Sequence, residues 1–491
     1  MHVPGDGKTG QAQAVAITGA ALQFPGASDP ASFHELSLSG RRMFRELSRR
    51  AADGDAADGQ RGGTPGRPGL LAALLDDGRR TFGRDDDLTD GITARHILAA
   101  QTANAALTDI PPLGRAMAPG RIGVFIADLP EPGTADVSDW VRRHLGTFGS
   151  VAPAPALTDQ ASGPASGGAL RPAGGGPDLV LGTIDAVSLS PGLAALNGAS
   201  LVNGTATANG LLPRGHRCSL RAIAIACEAL HAGEYDLVLA GGVAKGLGAW
   251  AQGRAPAADE VSVYDASPTG TLPGEGCGVV ALMRAADARA ADLPSYAEII
   301  GWHYAGPATP HKAVLPEAYL RAGVDPADVQ FVEGHGAATA ADDLAELGAL
   351  LDVLGRRGQS GTSCVLGSVS ANIGDTGAAA GVAALLKTAF AMTADMIPPT
   401  SGCVRPNRLL CGDEPPFRLP SAPESWPQTP VQLAAVNTLG TAPHPGAPRS
   451  GPVHVVLRRE RDATRRPGRR RKPAGPAVPV LAPDAAAQPE S

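Results

Sequence analysis

Several kinds of residue and segment are scarce in this chain of 491 residues. Aromatic residues make up only 4% of it, and its six cysteines contain no C-x-x-C pair, so neither a disulfide framework nor a zinc module is expected. Reduced thiols favour a cytoplasmic location. A net charge of -6 gives no basic field for nucleic acid. No uninterrupted apolar run reaches the ~18 residues of a membrane span, and no basic-plus-apolar leader opens the chain.

Glycine and proline, by contrast, are abundant and clustered, with 63 and 44 copies. Clusters with few large apolar residues predict segments without a packed core. We expect a disordered N-terminus over 1–13, mobile inserts over 51–69 and 152–176, and a disordered basic, Pro/Ala-rich tail over 459–491. The basic run in that tail is expected to be solvated.

Apolar periodicity between these clusters predicts alternating strands and helices. The expected strands lie over 15–19, 121–127, 235–240, 279–283, 297–302, 331–332, 364–369, 433–437 and 453–457, and the expected helices over 31–40, 93–107, 221–230, 316–323, 341–354 and 378–392. Gly241-Gly242 is expected to form a turn at a strand end. It is not interpreted as a phosphate loop, because no G-x-G-x-x-G opens a helix there.

Seven short strings, in a fixed order, resemble the β-ketoacyl synthases, the condensing enzymes of polyketide and fatty-acid assembly. They lie at 16–27, 226–243, 265–280, 332–339 (V-E-G-H-G-A-A-T), 367–376 (G-S-V-S-A-N-I-G-D-T), 397–400 and 454–457. The resemblance implies an α/β, thiolase-like fold with two similar β/α halves in stacked helix-sheet layers. The halves are expected over 14–290 and 291–458.

The departures from the family pattern fall on its reactive positions. Counting back from the string at 226 puts His216 where the family carries its nucleophilic cysteine. His335 matches the first family histidine, but Asp375 stands in place of the second and Ser370 in place of the family lysine. The resemblance therefore implies catalytic positions at His216, His335 and Asp375. It also implies substrate-binding positions at Ser370, Asn372, Thr339 and Leu439.

These replacements oppose Claisen condensation. An imidazole at His216 cannot hold a stable thioester, and a helix N-terminus disfavours its protonated form. A carboxylate at Asp375 would repel a developing enolate. Cys218 lies about 200° around a helix from His216 and is expected to point away from the pocket as a packed residue. Glu346 is expected to pair internally.

Three functions stay open at this point. The first is a β-ketoacyl-synthase-like protein of polyketide or fatty-acid biosynthesis that acts on carrier-bound acyl chains with impaired condensation. The second is a non-catalytic, chain-length-factor-like subunit that pairs with an active synthase. The third is a non-condensing acyltransferase, cyclase or thioester hydrolase that uses His216, His335 and Asp375.

The resemblance also implies partners. We expect an acyl carrier protein, to which the basic tail is a possible docking segment, and a homodimer or a heterodimer with an intact ketosynthase. Two histidines and a carboxylate are also the ligand pattern of non-haem iron sites. However, nothing in the sequence indicates the neighbouring groups that would orient such ligands by hydrogen bonds. No metal and no cofactor are expected, and no nucleic acid or membrane partner.

Overall fold

A computed structural model describes the parts of the chain that carry these strings. The described residues are 14–46, 71–75, 94–111, 121–128, 137–138, 141, 200–201, 218–245, 261–355, 363–411, 415–439 and 450–461. The predicted N-terminal segment 1–13, both predicted inserts, the tail from residue 462 and His216 lie outside them.

Strands and helices alternate along the described chain, as the periodicity predicts. The strands are β1 Val15–Gln23, β2 Arg45–Glu46, β3 Leu71–Ala72, β4 Arg121–Ala127, β5 Ser200–Leu201, β6 Leu237–Ala244, β7 Gly276–Arg284, β8 Glu298–Tyr304, β9 Phe331–Glu333, β10 Cys364–Gly367, β11 Met396–Ile397, β12 Phe417–Arg418, β13 Glu424–Ser425, β14 Val431–Thr438 and β15 Val453–Glu460. The α-helices are α1 Pro30–Leu38, α2 Ala94–Asp109, α3 Ser219–His231, α4 Ala285–Ala290, α5 Leu315–Ala322, α6 Ala340–Leu354, α7 Ser370–Ile373 and α8 Ala380–Ala394. Strand β15 thus includes the first residues of the predicted tail.

The strand order repeats between the two halves of the chain. The N-terminal half runs β1-β7-β6-β4-β5, and the C-terminal half runs β8-β15-β14-β9-β10 with β12 added at the edge. In each half the first two neighbouring pairs are antiparallel and the next two are parallel. A short antiparallel contact, Val15 with Ile299, joins β1 to β8 and makes one continuous sheet. The two halves are therefore similar, as expected.

Three buried apolar clusters lie between the layers of helices and strands. Helix α2 packs on one face of the N-terminal strands, and α5 and α6 cover the outer face of the C-terminal strands. Helices α3 and α8 fill the space between the two half-sheets, where alternate strand residues such as Val280 and Val455 meet them. Both faces of each half-sheet are thus covered, which explains their near-continuous apolar runs.

Helix α8 and the turn before it form the most apolar helical segment described. Residues Gly377–Ala394 are long and apolar enough to cross a membrane by length and composition alone. However, 89% of this segment is buried inside the fold, where it contacts α3, β14 and α1. It is therefore the central core helix of the molecule.

The expected turn at Gly241-Gly242 is wrong, because both residues lie inside β6 and pair with β7. A Cβ on Gly241 would stand 2.0 Å from the Gly278 carbonyl oxygen, and one on Gly242 would stand 2.5 Å from that of Ala378. These glycines allow neighbouring backbones to approach closely, which is a common reason for glycine within a strand.

Candidate active site

His335 follows β9, and hydrogen bonds to its backbone hold it on both sides. Its N–H donates to Glu346 Oε1 (2.7 Å), and the next N–H, of Gly336, donates to Glu346 Oε2 (3.0 Å). Its carbonyl accepts from the hydroxyls of Ser368 (2.9 Å) and Ser370 (3.0 Å). The backbone that carries the half-buried His335 side chain is therefore fixed on both sides. Ser370, predicted to bind substrate, is one of the groups that hold it.

Glu346 is the centre of this hydrogen-bond network and is fully buried. Besides the two backbone N–H groups, it accepts from the Tyr264 hydroxyl (3.0 Å) and from Asn437 Nδ2 (2.6 Å). The expectation that Glu346 pairs internally is confirmed. Asp343 supports the same region by accepting from the N–H of Tyr264 at 2.9 Å. Burial raises the pKa of Asp343 to about 7, against that hydrogen bond, and the Glu346 charge adds to the rise.

Asp375, the third member of the predicted catalytic group, lies in a tight loop between α7 and α8. It is buried, its Oδ1 accepts from the N–H of Gly377 (2.8 Å), and its backbone pairs with Leu272 and Gly274. Among the described residues, no hydrogen bond joins Asp375 to His335. One carboxylate oxygen is thus already engaged in holding the loop.

Two of the other predicted substrate-binding residues make structural hydrogen bonds. Thr339 caps α6, since its hydroxyl accepts from the N–H of Asp342. The Asn372 amide donates to the carbonyl of Arg41 (2.9 Å). Leu439 directly follows β14 and is half-buried.

His311 belongs to this region and was missed by the sequence reasoning. It opens a short 3-10 turn, His311–Ala313, and its Nε2 lies 3.3 Å from the carbonyl oxygen of Thr438. A carbonyl only accepts hydrogen bonds, so Nε2 carries the proton and Nδ1 has the lone pair. Burial lowers the pKa of His311, while the charge of Glu346 opposes the change. One sequence signal was available: the stretch 306–313, which contains His311, is shorter than the substrate loop that β-ketoacyl synthases usually carry at this place.

Cys218 approaches Thr438 from the other side. Its Sγ lies 3.7 Å from the Thr438 hydroxyl, and the residue is only 5% exposed. The expectation that it points away assumed a helix running through 216–218. That assumption is wrong, because Cys218 has an extended backbone (φ -145°) and α3 begins at Ser219. Thr438 therefore contacts Cys218 through its hydroxyl and His311 through its carbonyl.

His454 completes the arrangement from β15. It is fully buried, and its Nδ1 lies 3.1 Å from Asn437 Oδ1. Burial lowers the pKa of His454 to about 3, and nearby His311 contributes to the change. The ring is thus neutral and belongs to the scaffold under the site. Among the described residues, no group of three or more His, Cys, Asp or Glu side chains is placed to hold a metal ion.

A buried ion pair lies just behind this region, at the end of β9. Lys387 Nζ is 2.8 Å from Glu333 Oε2, and both side chains are fully buried. Glu333 Oε1 also accepts from the N–H of Val369 (2.5 Å). Burial raises the pKa of Glu333, and Lys387 opposes the rise. The pair joins α8 to the strand that leads to His335.

Thiol, hydroxyl and neutral imidazole groups next to one another are the elements of acyl-transfer chemistry. Such chemistry needs a nucleophile and a base that is unprotonated at working pH. The described residues bring Cys218, Thr438 and His311 together, with His335 held nearby on the Glu346 network.

Two family models match parts of this chain. Residues 218–288 match the family model for the β-ketoacyl synthase N-terminal domain, and residues 302–403 match that for the C-terminal domain. Position 216 precedes both matches. A highly reducing polyketide synthase of Penicillium rubens is 30% identical over 263 residues, which are 50% of this chain and 10% of that protein. A mycocerosic acid synthase-like polyketide synthase of Mycobacterium tuberculosis is 35% identical over 240 residues, or 45% of this chain and 11% of that protein. The chain thus spans about a tenth of the length of these relatives.

Solved structures share the fold. The ketosynthase from module 6 of the bacillaene synthase of Bacillus subtilis 168 superposes with a TM-score of 0.67 at 21% identity, covering 91% of this chain and 72% of that one. The oxazolomycin ketosynthase domain OzmH KS8 of Streptomyces albus JA3453 gives 0.58 at 23% identity, covering 91% and 95%. The thiolase-like fold is confirmed. Both family domains match in order along the chain, and together with the shared fold they support membership of the β-ketoacyl synthase family.

Proposed function

We propose that this chain is a ketosynthase-like protein of polyketide assembly, which accepts carrier-bound acyl chains and is impaired in Claisen condensation. One observation supports the impairment most. Ser370 and Asp375 replace a lysine and a histidine of the family, and both direct polar atoms at the protein's own backbone. The Ser370 hydroxyl donates to the His335 carbonyl, and Asp375 Oδ1 accepts from the N–H of Gly377.

Condensation needs groups that stabilise the negative charge of an enolate as it forms. A serine hydroxyl that already donates elsewhere is a weak replacement for a cation. A carboxylate is worse, because it repels the developing charge. The replacement of the reactive cysteine by His216 remains a sequence-based prediction that would lower the rate further.

The substrate and the partners follow from the family. We propose acyl thioesters on an acyl carrier protein, a cytoplasmic location, and a homodimer or a heterodimer with an intact ketosynthase. A chain-length-factor-like role fits the same replacements if the partner supplies the chemistry. Non-condensing acyl transfer is the second candidate. It is favoured by the neutral imidazole of His311 at the Thr438 carbonyl, and by the Cys218 sulfur 3.7 Å from the hydroxyl of the same threonine.

Two measurements on the full chain test this proposal. Fluorescence anisotropy with a labelled acyl carrier protein is expected to show binding, and its absence would contradict the carrier assignment. Mass spectrometry of a mixture with hexanoyl- and malonyl-carrier protein is expected to show no more condensation product than the matched His335→Ala variant. Efficient product formation that His335→Ala abolishes would refute the impairment.

A further inference from the structure

Residues 335–338, the His335 segment, are held against α6 by two carboxylates. Glu346 accepts hydrogen bonds from the first two N–H groups of the segment. Asp343 precedes it by three residues and so lies on the same face of the helix. Its Oδ1 accepts from the N–H of Ala338 at 3.0 Å. The position of the segment therefore depends on both carboxylates.

Tyr264 connects the same two carboxylates to the part of the chain before β7. Its N–H donates to Asp343 Oδ2 (2.9 Å), and its hydroxyl donates to Glu346 Oε2 (3.0 Å). Tyr264 and Ala338 both have a left-handed backbone, with φ of 53° and 54°, which residues other than glycine rarely adopt. Each donates its N–H to a different oxygen of Asp343. Such conformations persist only where surrounding contacts enforce them, and Asp343 supplies one such contact to each residue.

Asp343 is buried without a compensating cation. It is only 1% exposed, and it forms no salt bridge within the part of the chain that the structure describes. The ionisable groups that face it are Glu346 on the same helix, Tyr264, and Cys403 from the loop after β11, and none of them is a cation. The buried lysine of α8 already pairs with another carboxylate. Burial raises the pKa of Asp343 to about 7.

We propose that the His335 segment opens with the release of a proton from Asp343, so that acidic pH keeps the segment closed and alkaline pH frees it. On opening, the carboxyl O–H bond breaks and the proton passes to water. As a means of regulating access of a substrate to His335, the inference rests on the proposed function.

The direction follows from the surroundings of the carboxyl. Burial in the closed segment disfavours the charged form of Asp343, whereas water reaches the carboxyl in the open segment and returns its pKa to the ordinary value of about 3.9. Loss of the two N–H donors acts the other way, but burial is the largest influence on this pKa. The closed segment thus binds the proton more tightly, and its share falls as pH rises. The equilibrium constant for opening should rise about tenfold per pH unit up to about pH 7 and then level off.

The test is hydrogen–deuterium exchange of the full chain at pH 6, 8 and 9. Exchange is read by mass spectrometry on peptides that cover 335–338 and is divided by the intrinsic exchange rate at each pH. Opening is expected to increase about 10-fold from pH 6 to pH 8 and to change little from pH 8 to pH 9. Asp343→Asn should remove this dependence, because asparagine keeps an acceptor oxygen but takes up no proton. Asp352→Asn, which removes an exposed carboxylate from the same helix, should keep it.

Two results would overturn the inference: opening that does not change with pH, and an unchanged pH dependence in Asp343→Asn. If that variant does not fold, the wild type still decides, since opening that keeps rising tenfold between pH 8 and pH 9 excludes Asp343 as the source of the proton. Fluorescence anisotropy with labelled acyl carrier protein at pH 7 tests the proposed function separately. Carrier binding without pH-dependent opening would overturn the inference alone, and pH-dependent opening without carrier binding would overturn the carrier assignment alone.

Discussion

Replacing Lys387 with methionine removes the only cation contacting Glu333 among the described residues, and we expect it to destabilise the protein strongly. The two groups lie 2.8 Å apart with no exposure to solvent, at the junction of α8 and β9. Methionine matches the length of the lysine stem, so packing changes little. The main consequence is a buried carboxylate without its partner.

The magnitude follows from that burial. At 2.8 Å and an effective dielectric constant of about 20, two unit charges attract by about 6 kcal/mol. Desolvation of both charges offsets part of this, and breaking one side of a buried pair typically costs about 3–5 kcal/mol. Because burial already raises the pKa of Glu333, its carboxyl can take up a proton once Lys387 is gone.

That proton makes the loss depend on pH. The folded variant binds the proton more tightly than the unfolded chain, so its stability falls as pH rises above the unfolded glutamate pKa of about 4.3. Urea unfolding followed by circular dichroism should therefore show a larger loss for Lys387→Met at pH 8 than at pH 5. The partly exposed pair Arg418–Glu424 is the control, and Arg418→Met should cost less than about 1 kcal/mol.

The double variant Glu333→Gln/Lys387→Met separates charge from packing. Glutamine keeps an oxygen for the N–H of Val369, and no charge remains buried, so we expect the double variant to be more stable than Lys387→Met. If Lys387→Met loses less than about 1 kcal/mol at pH 8, or if the double variant is as unstable as the single one, the argument from burial is wrong.

Two further predictions concern the scaffold. Because the pKa of His454 in the folded state is about 3, the stability of the wild type should fall as pH drops from about 6.5 towards 3. In urea titrations, His454→Asn should flatten this dependence of stability on pH, and an unchanged dependence would contradict the argument. Gly241→Ala should lower the free energy of unfolding, because its Cβ would meet the Gly278 carbonyl oxygen at 2.0 Å. Gly348→Ala, in open space on α6, should raise the free energy of unfolding by up to about 1 kcal/mol. Equal effects would refute the packing argument.

Local pattern was enough to predict much of the fold. The strand expected over 121–127 is β4, and the helix expected over 341–354 is most of α6. Apolar periodicity reports which face of an element is buried, and that depends mainly on nearby residues. Gly241-Gly242 was misread because a glycine pair signals either a turn or close backbone packing, and only the neighbouring strand distinguishes them.

The sequence by itself determined the family, the order of the strands and helices, and the position of His335, because these depend on short strings and local periodicity. Only the tertiary structure decided which groups share the site. Thr438 lies 220 residues from Cys218 and 127 from His311 along the chain, and it contacts both because β14 ends between α3 and the turn that begins at His311. Contacts over such separations depend on strand order and on where helices begin, which no local pattern of residues specifies.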